Sequence, residues 1–162
     1  MADTPAAHAD ANAPVRYFED IEIGEIYEIP SRTHTDALFA AFQLASGDNS
    51  PMHYDYEYAR EHGWPGLLAH GFQVLIQTCP GASNIHRYKG RLNARGMVGM
   101  SCEFLKPVYS GDTLTPKLEV VDLKPNRTTG VMTLRSTVHN QRGELVLEGS
   151  IKMLLNRRPT DS

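Results

Sequence analysis

Between Gly71 and Gly81 the chain reads GFQVLIQTCPG. The run is apolar on nearly all sides, opens after His70 and stops at Pro80-Gly81, and a helix that is apolar all round is ordinarily a buried one. It is the candidate central helix, so the rest of the chain must supply a surface that covers it. Downstream lie four stretches rich in Val, Leu, Thr and Met, at 98–104, 112–123, 128–140 and 144–155, separated by Ser110-Gly111, Pro125-Asn126 and Arg142-Gly143. The short Asn140-Gln141-Arg142-Gly143 connection predicts an antiparallel hairpin. Upstream, a turn at Glu22-Ile23-Gly24 precedes a strand from Ile26 to Thr33. Thr35 then caps a helix with Asp36 in its first turn, Leu38, Phe39, Phe42 and Ala45 on its apolar face, and Gly47 at its end. Asp55 caps a second helix, YEYAREHG, closed by Gly63, and Trp64-Pro65-Gly66 forces a loop. One strand, then helices, then several antiparallel strands predict an α+β domain, a curved antiparallel sheet wrapped around a central apolar helix.

A chain of 162 residues fits one domain that buries about 70% of its unfolded surface. Hydrophobic residues make up 41%, with no apolar run long enough to span a bilayer. A net charge of −3 without a basic stripe argues against nucleic acid as a partner. Two cysteines, Cys79 and Cys102, suit a reduced, cytoplasmic chain better than a disulfide framework. The opening MADTPAAHADANAPV lacks the basic and apolar regions of a signal peptide and has no hydrophobic period. Residues 1–15 are therefore expected to form a disordered tail, with the domain over 16–158.

Chemistry concentrates in SGDNSPMH, from Ser46 to His53. An aspartate, Asp48, and a histidine, His53, flank the turn-forming Asn49-Ser50-Pro51, between the end of one helix and the cap of the next. A general acid or base must be held within reach of the proton it moves, and imidazole, with an ordinary pKa of about 6.5, suits transfer near neutrality. The same residues also fit a plain turn in which Asp48 caps and His53 is surface.

FQLASGDNSPMHYDYEYA resembles the hydratase motif of the MaoC-like (R)-specific enoyl-CoA hydratases and dehydratases, a hotdog-fold family, through Phe42, Gly47, Asp48, Pro51, Met52, His53 and Ala59. GLLAHG (66–71) resembles the family's entry into its central helix, and FLKPVYSGDTL (104–114) a third shared stretch; together the likeness covers about residues 18–155. It implies a single hotdog domain acting as a hydro-lyase. Asp48 and His53 would share one water and exchange hydroxide at C3 and a proton at C2 of an enoyl thioester. The backbone N–H of Gly71 would hold the thioester oxyanion, with Ser50, Pro51 and Cys79 in the substrate-binding surround and His70 structural. No cofactor is implied, since coenzyme A arrives as part of the acyl-CoA substrate, and exposed sheet edges imply a homodimer or larger homo-oligomer.

Two departures stand out. Ser50 occupies the position of the family's asparagine and offers one hydroxyl in place of an amide with two donors and an acceptor. Cys79 puts a weak thiol donor where relatives can carry a hydroxyl. The cluster Arg87, Lys89, Arg91 and Arg95 fits either a solvated loop or charge-assisted contacts to coenzyme A phosphates. The histidines show no metal-ligand spacing, and no phosphate loop, dinucleotide fingerprint or nucleophile elbow is present. Alternative readings are a hotdog acyl-CoA thioesterase and a non-catalytic acyl-CoA-binding or partner subunit; retention of both Asp48 and His53 argues against the latter.

Overall fold

The computed structural model describes residues 13–84 and 90–159. In chain order the elements are β1 (Val15–Arg16), β2 (Ile26–Glu28), β3 (Arg32–Thr33), α1 (Asp36–Ser46), α2 (Tyr56–Glu61), α3 (Gly71–Leu75), β4 (Arg91–Leu92), β5 (Ala94–Phe104), β6 (Thr113–Pro125), β7 (Thr129–His139) and β8 (Leu145–Asn156). The main sheet runs β2-β6-β7-β8-β5, antiparallel throughout, with β3 also on β6. β1 lies parallel to β4 as a separate pair.

The sheet follows from period-two patterning. Leu114, Pro116, Leu118 and Val120 on β6 turn inward, as do Met132, Leu134, Ser136 and Val138 on β7. Two apolar clusters result. One gathers Phe18, Ile21, Tyr27 and Ile29 against Leu118, Met132, Leu134 and Leu155. The other gathers Phe39, Leu67, Val74 and Leu75 against Leu114, Val138 and Leu147. The β7–β8 hairpin turns through Asn140–Glu144, with Gly143 at φ 74°, as the glycine predicts. The whole is an α+β domain of the hotdog kind.

Four expectations need correction. The strand expected over 26–33 is two strands, because Pro30 has no N–H for the ladder; Ile29 N–H still reaches Pro116 O at 3.4 Å. The central helix is one α-turn and a half, tightening to 3₁₀ over Ile76–Thr78. Gln73, Val74, Leu75 and Thr78 are buried, but Phe72 and Ile76 are 71% and 49% exposed. Positions i and i+4 share a helix face, and this face looks away from the sheet. On α1, Phe39 is buried and Phe42 half-buried, whereas Ala45, in the last turn before Gly47, is exposed. Finally, the fold begins before residue 16. Pro14 O accepts from Arg91 N–H at 2.8 Å and Val15 pairs with Arg91, so β1 crosses the expected tail boundary. Residues 1–12 lie outside the described residues. Among the described residues no helix is long and apolar enough to cross a membrane.

Candidate active site

α1 ends at Gly47, whose φ of 74° is the left-handed conformation that closes a helix cheaply only in glycine, with Gly47 N–H on Gln43 O at 2.9 Å. The next residue is Asp48. Its Oδ1 accepts from Ser50 N–H at 3.2 Å, Ser50 O accepts from His53 N–H at 3.1 Å, and Pro51 opens a 3₁₀ turn, Pro51–His53. Pro51 O takes the N–H groups of Tyr54 and Asp55, and Asp55 caps α2 through Glu57 N–H at 2.8 Å and Tyr58 N–H at 3.2 Å. The elbow is therefore bonded at every step between two helices.

The stretch 66–71 is clamped onto that elbow from one side and onto 108–111 from the other. Leu68 N–H reaches Met52 O at 3.0 Å, Ala69 N–H reaches Val108 O at 2.8 Å, and Ser110 N–H reaches Leu67 O at 2.8 Å. A Cβ at Gly66 would stand 2.8 Å from Ser110 Oγ, so a larger residue there would have to displace that hydroxyl. The buried Asp112 carboxylate fixes the outer strand turn through Tyr109 N–H at 2.9 Å and Gln141 Nε2–H at 2.6 Å. The three stretches that carry the likeness thus meet in space.

The consequence falls on His53, only 7% exposed. The Leu68 carbonyl can only accept, so the 2.6 Å contact at Nδ1 is an Nδ1–H donation. That leaves Nε2 toward Asp48, 3.9 Å from Oδ2, while the Asp48 side chain is 53% exposed. This gap is too long for a direct bond. A water about 2.8 Å from both atoms would see them at an angle of about 90°, within its ordinary range. A solvent-facing carboxylate and an oriented imidazole nitrogen can therefore hold and deprotonate one water.

His70, 4% exposed, stacks on His53 with ring centres 3.5 Å apart and planes at 22°, and Phe42 covers it at 4.9 Å. Its Nε2 is 3.3 Å from Asp48 O and 4.0 Å from Asp48 Oδ2, and its Nδ1 is 3.2 Å from Gln73 Oε1. Gln73 Nε2 is in turn 3.4 Å from Nδ1 of the fully buried His34. Burial, helped by Arg32 and opposed by Asp112, pushes His34 down to about 4. Sequence spacing gave no sign of a histidine cluster, yet Asp48, His53 and His70 bring ligand atoms within 4.8 Å of one another. By count these three residues are the ones that would hold a metal ion.

Gly71 opens α3 beside this cluster, where the first N–H groups have no acceptor inside the helix. A Cβ there would come 2.9 Å from Phe104 Cζ. The close approach forms one wall of an apolar groove of about 350 Å³ lined by Leu68, Ala69, Val74, Phe104 and Val108.

Residues 20–141 match the model of a family described as MaoC like domain. The chain belongs to the MaoC-like family. Among its relatives, the 3-hydroxybutyryl-CoA dehydratase of Methylorubrum extorquens is 30% identical over 139 residues, 83% of this chain and 81% of that one. The (R)-specific enoyl-CoA hydratase of Rhodospirillum rubrum is 28% identical over 151 residues, 89% of this chain and 94% of that one. A solved Archaeoglobus structure named as a monoamine oxidase regulatory protein superposes with a TM-score of 0.82 at 32% identity, over 91% of this chain and 99% of that one.

Within this MaoC-like domain the other sequence candidates separate. Ser50 and Pro51 belong to the elbow, and both elbow bonds of Ser50 run through its backbone. Cys79 is exposed beyond the 3₁₀ turn, about 12–14 Å along the helical axis from Gly71, and does not join the cluster. Arg91 is exposed on β4, and Arg95 Nε donates to Asn156 Oδ1 at 2.7 Å. Arg87 and Lys89 lie outside the described residues. Gln73 and His34 were missed: a glutamine in an apolar run and a histidine before a helix cap carry no signal until the fold joins them.

Proposed function

We propose that this protein is a hydro-lyase that adds water to an enoyl-CoA thioester, or removes it from a 3-hydroxyacyl-CoA, with Asp48 and His53 as the catalytic pair. The observation that carries the reading is the 3.9 Å gap between Asp48 Oδ2 and a His53 Nε2 whose tautomer is set by Leu68 O. In hydration, one shared water loses a proton to the dyad as its oxygen bonds to C3. The C2–C3 π electrons move toward the thioester oxygen, which the Gly71 N–H stabilises at the start of α3. The enolate collapses as C2 takes a proton from the dyad, so that water is added and no group is left charged. Dehydration is the reverse. The names of the two CoA-lyase relatives support the substrate class, and the apolar groove against Gly71 gives an acyl chain a place to lie. Arg91 is the described member of the basic cluster available to coenzyme A phosphates.

The assembly belongs to the same proposal. β5 is a sheet edge that exposes Met97, Val98, Met100 and Phe104, and Phe72 of α3, next to the Gly71 that packs on Phe104, and Ile76 of the following 3₁₀ turn are exposed as well. An apolar edge this long calls for a partner, and a second copy would cover both strand and helix. Crotonyl-CoA tests the activity. Loss of enoyl absorbance without thiol release supports the hydratase; release of free thiol identifies a thioesterase, and neither change a binding subunit. Light scattering tests the assembly, and a folded 18.0 kDa species would contradict it.

A further inference from the structure

The hydratase reading uses Asp48, His53 and Gly71 and leaves His70 without a task, although it lies at the centre of the site's contacts. It stacks on His53, lies under Phe42 of α1, approaches the Asp48 carbonyl and reaches Gln73 of α3. Asp48 O is a carbonyl and only accepts, so His70 Nε2 at 3.3 Å must carry a hydrogen for the contact to be attractive. A neutral imidazole then has a bare Nδ1, which needs a donor. The Gln73 atom 3.2 Å away is Oε1, another acceptor. Turning the Gln73 amide through 180° exchanges its oxygen and nitrogen without changing its shape. The NH₂ then donates to His70 Nδ1 and the oxygen faces His34 Nδ1.

A second observation, at the far end of the chain of contacts, asks for the same turn. His34 is fully buried and its Nε2 has no hydrogen-bond partner among the described residues. With the glutamine nitrogen toward it, Nδ1 must accept and the ring proton sits on Nε2, a buried N–H with nothing to bond. With the amide turned, His34 donates from Nδ1 to Gln73 Oε1, and the unpartnered atom becomes a bare nitrogen. A buried donor left without an acceptor loses its hydration for nothing in return, and such donors are the rarer defect in proteins.

We propose that His70 is a positioning residue of the dyad, held by a turned Gln73 amide in the Nε2–H form that anchors the Asp48 carbonyl, so that the two stacked imidazoles carry opposite tautomers. His53 donates from Nδ1 to Leu68 O and keeps Nε2 for the water; His70 donates from Nε2 to the backbone of the other dyad member and never faces substrate. One ring does chemistry and the other sets the distance between the two groups that do it. The kinetic part rests on the hydratase reading, whereas the tautomers do not.

The test has two arms. In the full-length protein with ¹⁵N-labelled histidine, long-range ¹H–¹⁵N spectra show which ring nitrogen bears the proton, assigned by single substitutions. The expected result is Nδ1–H for His53 and Nε2–H for His70. A His70 proton on Nδ1, or on both nitrogens, overturns the proposal. Gln73→Met removes the donor to Nδ1 and is expected to release His70 into a mixture of tautomers; an unchanged spectrum also counts against it. In the kinetic arm, His70→Phe keeps a stacked ring and loses the donor. It is expected to lower kcat about ten- to a hundredfold with KM little changed, the scale of a small misplacement of reacting groups. His70→Gln, whose amide nitrogen can stand near the place of Nε2, is expected to recover most of that loss. A folded His70→Phe protein with wild-type kcat overturns the positioning role. A wild type that turns over no enoyl-CoA overturns the proposed function instead, and the spectra still decide the tautomers.

Discussion

At the scale of single residues, the nearness of Asp48 and His53 was legible because they stand five positions apart on one bonded elbow. If they share one water, Asp48→Ala and His53→Ala should each lower kcat by about two to four decades. The double substitution should then lose little more, because groups acting as a unit are not additive; multiplicative losses in a folded double variant would contradict the shared water. Ser50→Asn is a sharper probe. Ser50 is half-buried and its backbone already makes the elbow bonds, so a larger amide is expected to crowd the pocket more than to reorient the dyad. Overpacking costs about 1–3 kcal/mol, or one to two decades in kcat/KM when the strain falls on the bound transition state. The loss should be largest for bulky or branched enoyl-CoA substrates and small for crotonyl-CoA; a uniform change across that panel would count against it. His70, Gln73 and His34 were not legible as a unit. Contacts across as many as 39 positions exist only once α3 is seated beside β3 and the elbow.

At the scale of elements, the end of α1 was readable, since a glycine, Gly47, stands where that helix closes with a positive φ. A Cβ at Gly47 would meet nothing within 4 Å, so Gly47→Ala isolates backbone strain from crowding. Denaturant unfolding should show a loss of about 1–2 kcal/mol, and no loss would mean that the helix end can relax. The long strands β6, β7 and β8 were readable from alternation, and Pro30 explains the break between β2 and β3, whereas β1, β4 and the first residues of β5 carried no such pattern. The helix over 71–81 was misjudged for a physical reason. Hydrophobicity on all sides says that every side wants cover, but not whether the cover is this chain's own sheet or a second molecule. Val74 and Leu75 have the first; Phe72 and Ile76 would gain the second in the proposed assembly.

For the whole molecule, two buried groups set the response to acid. His34 is held at about 4, below its ordinary 6.5, by burial and Arg32 against Asp112. A depressed pKa means that the folded state resists protonation, so this stabilisation is complete above about pH 6.5 and is lost as the pH falls toward 4. Glu25 is held at about 2. Burial alone would raise it, but Arg16, at 2.7 and 3.0 Å, Tyr27 OH at 2.7 Å and Glu22 N–H at 2.9 Å together outweigh burial. Its contribution is lost between about 4.5 and 2. Unfolding free energy measured against pH should therefore begin to fall below about 6.5 and fall more steeply below about 4.5. His34→Gln should flatten the upper part of that slope and leave the lower part in place.

The strand order has a kinetic meaning. β6, β7 and β8 follow one another with short turns, whereas β2 and β5 join the edges from far upstream, and Leu68 meets Tyr109 across a wide loop. Closing long loops costs entropy before any contact rewards it. The three-stranded meander is then the natural nucleus for folding, and the elbow matures afterwards. Pulse-labelled hydrogen exchange during refolding should protect the amides of β6–β8 before those of His53, Leu68 and Ala69, and simultaneous protection would contradict that sequence of events. A chain caught midway would own its sheet while its two imidazoles were still strangers.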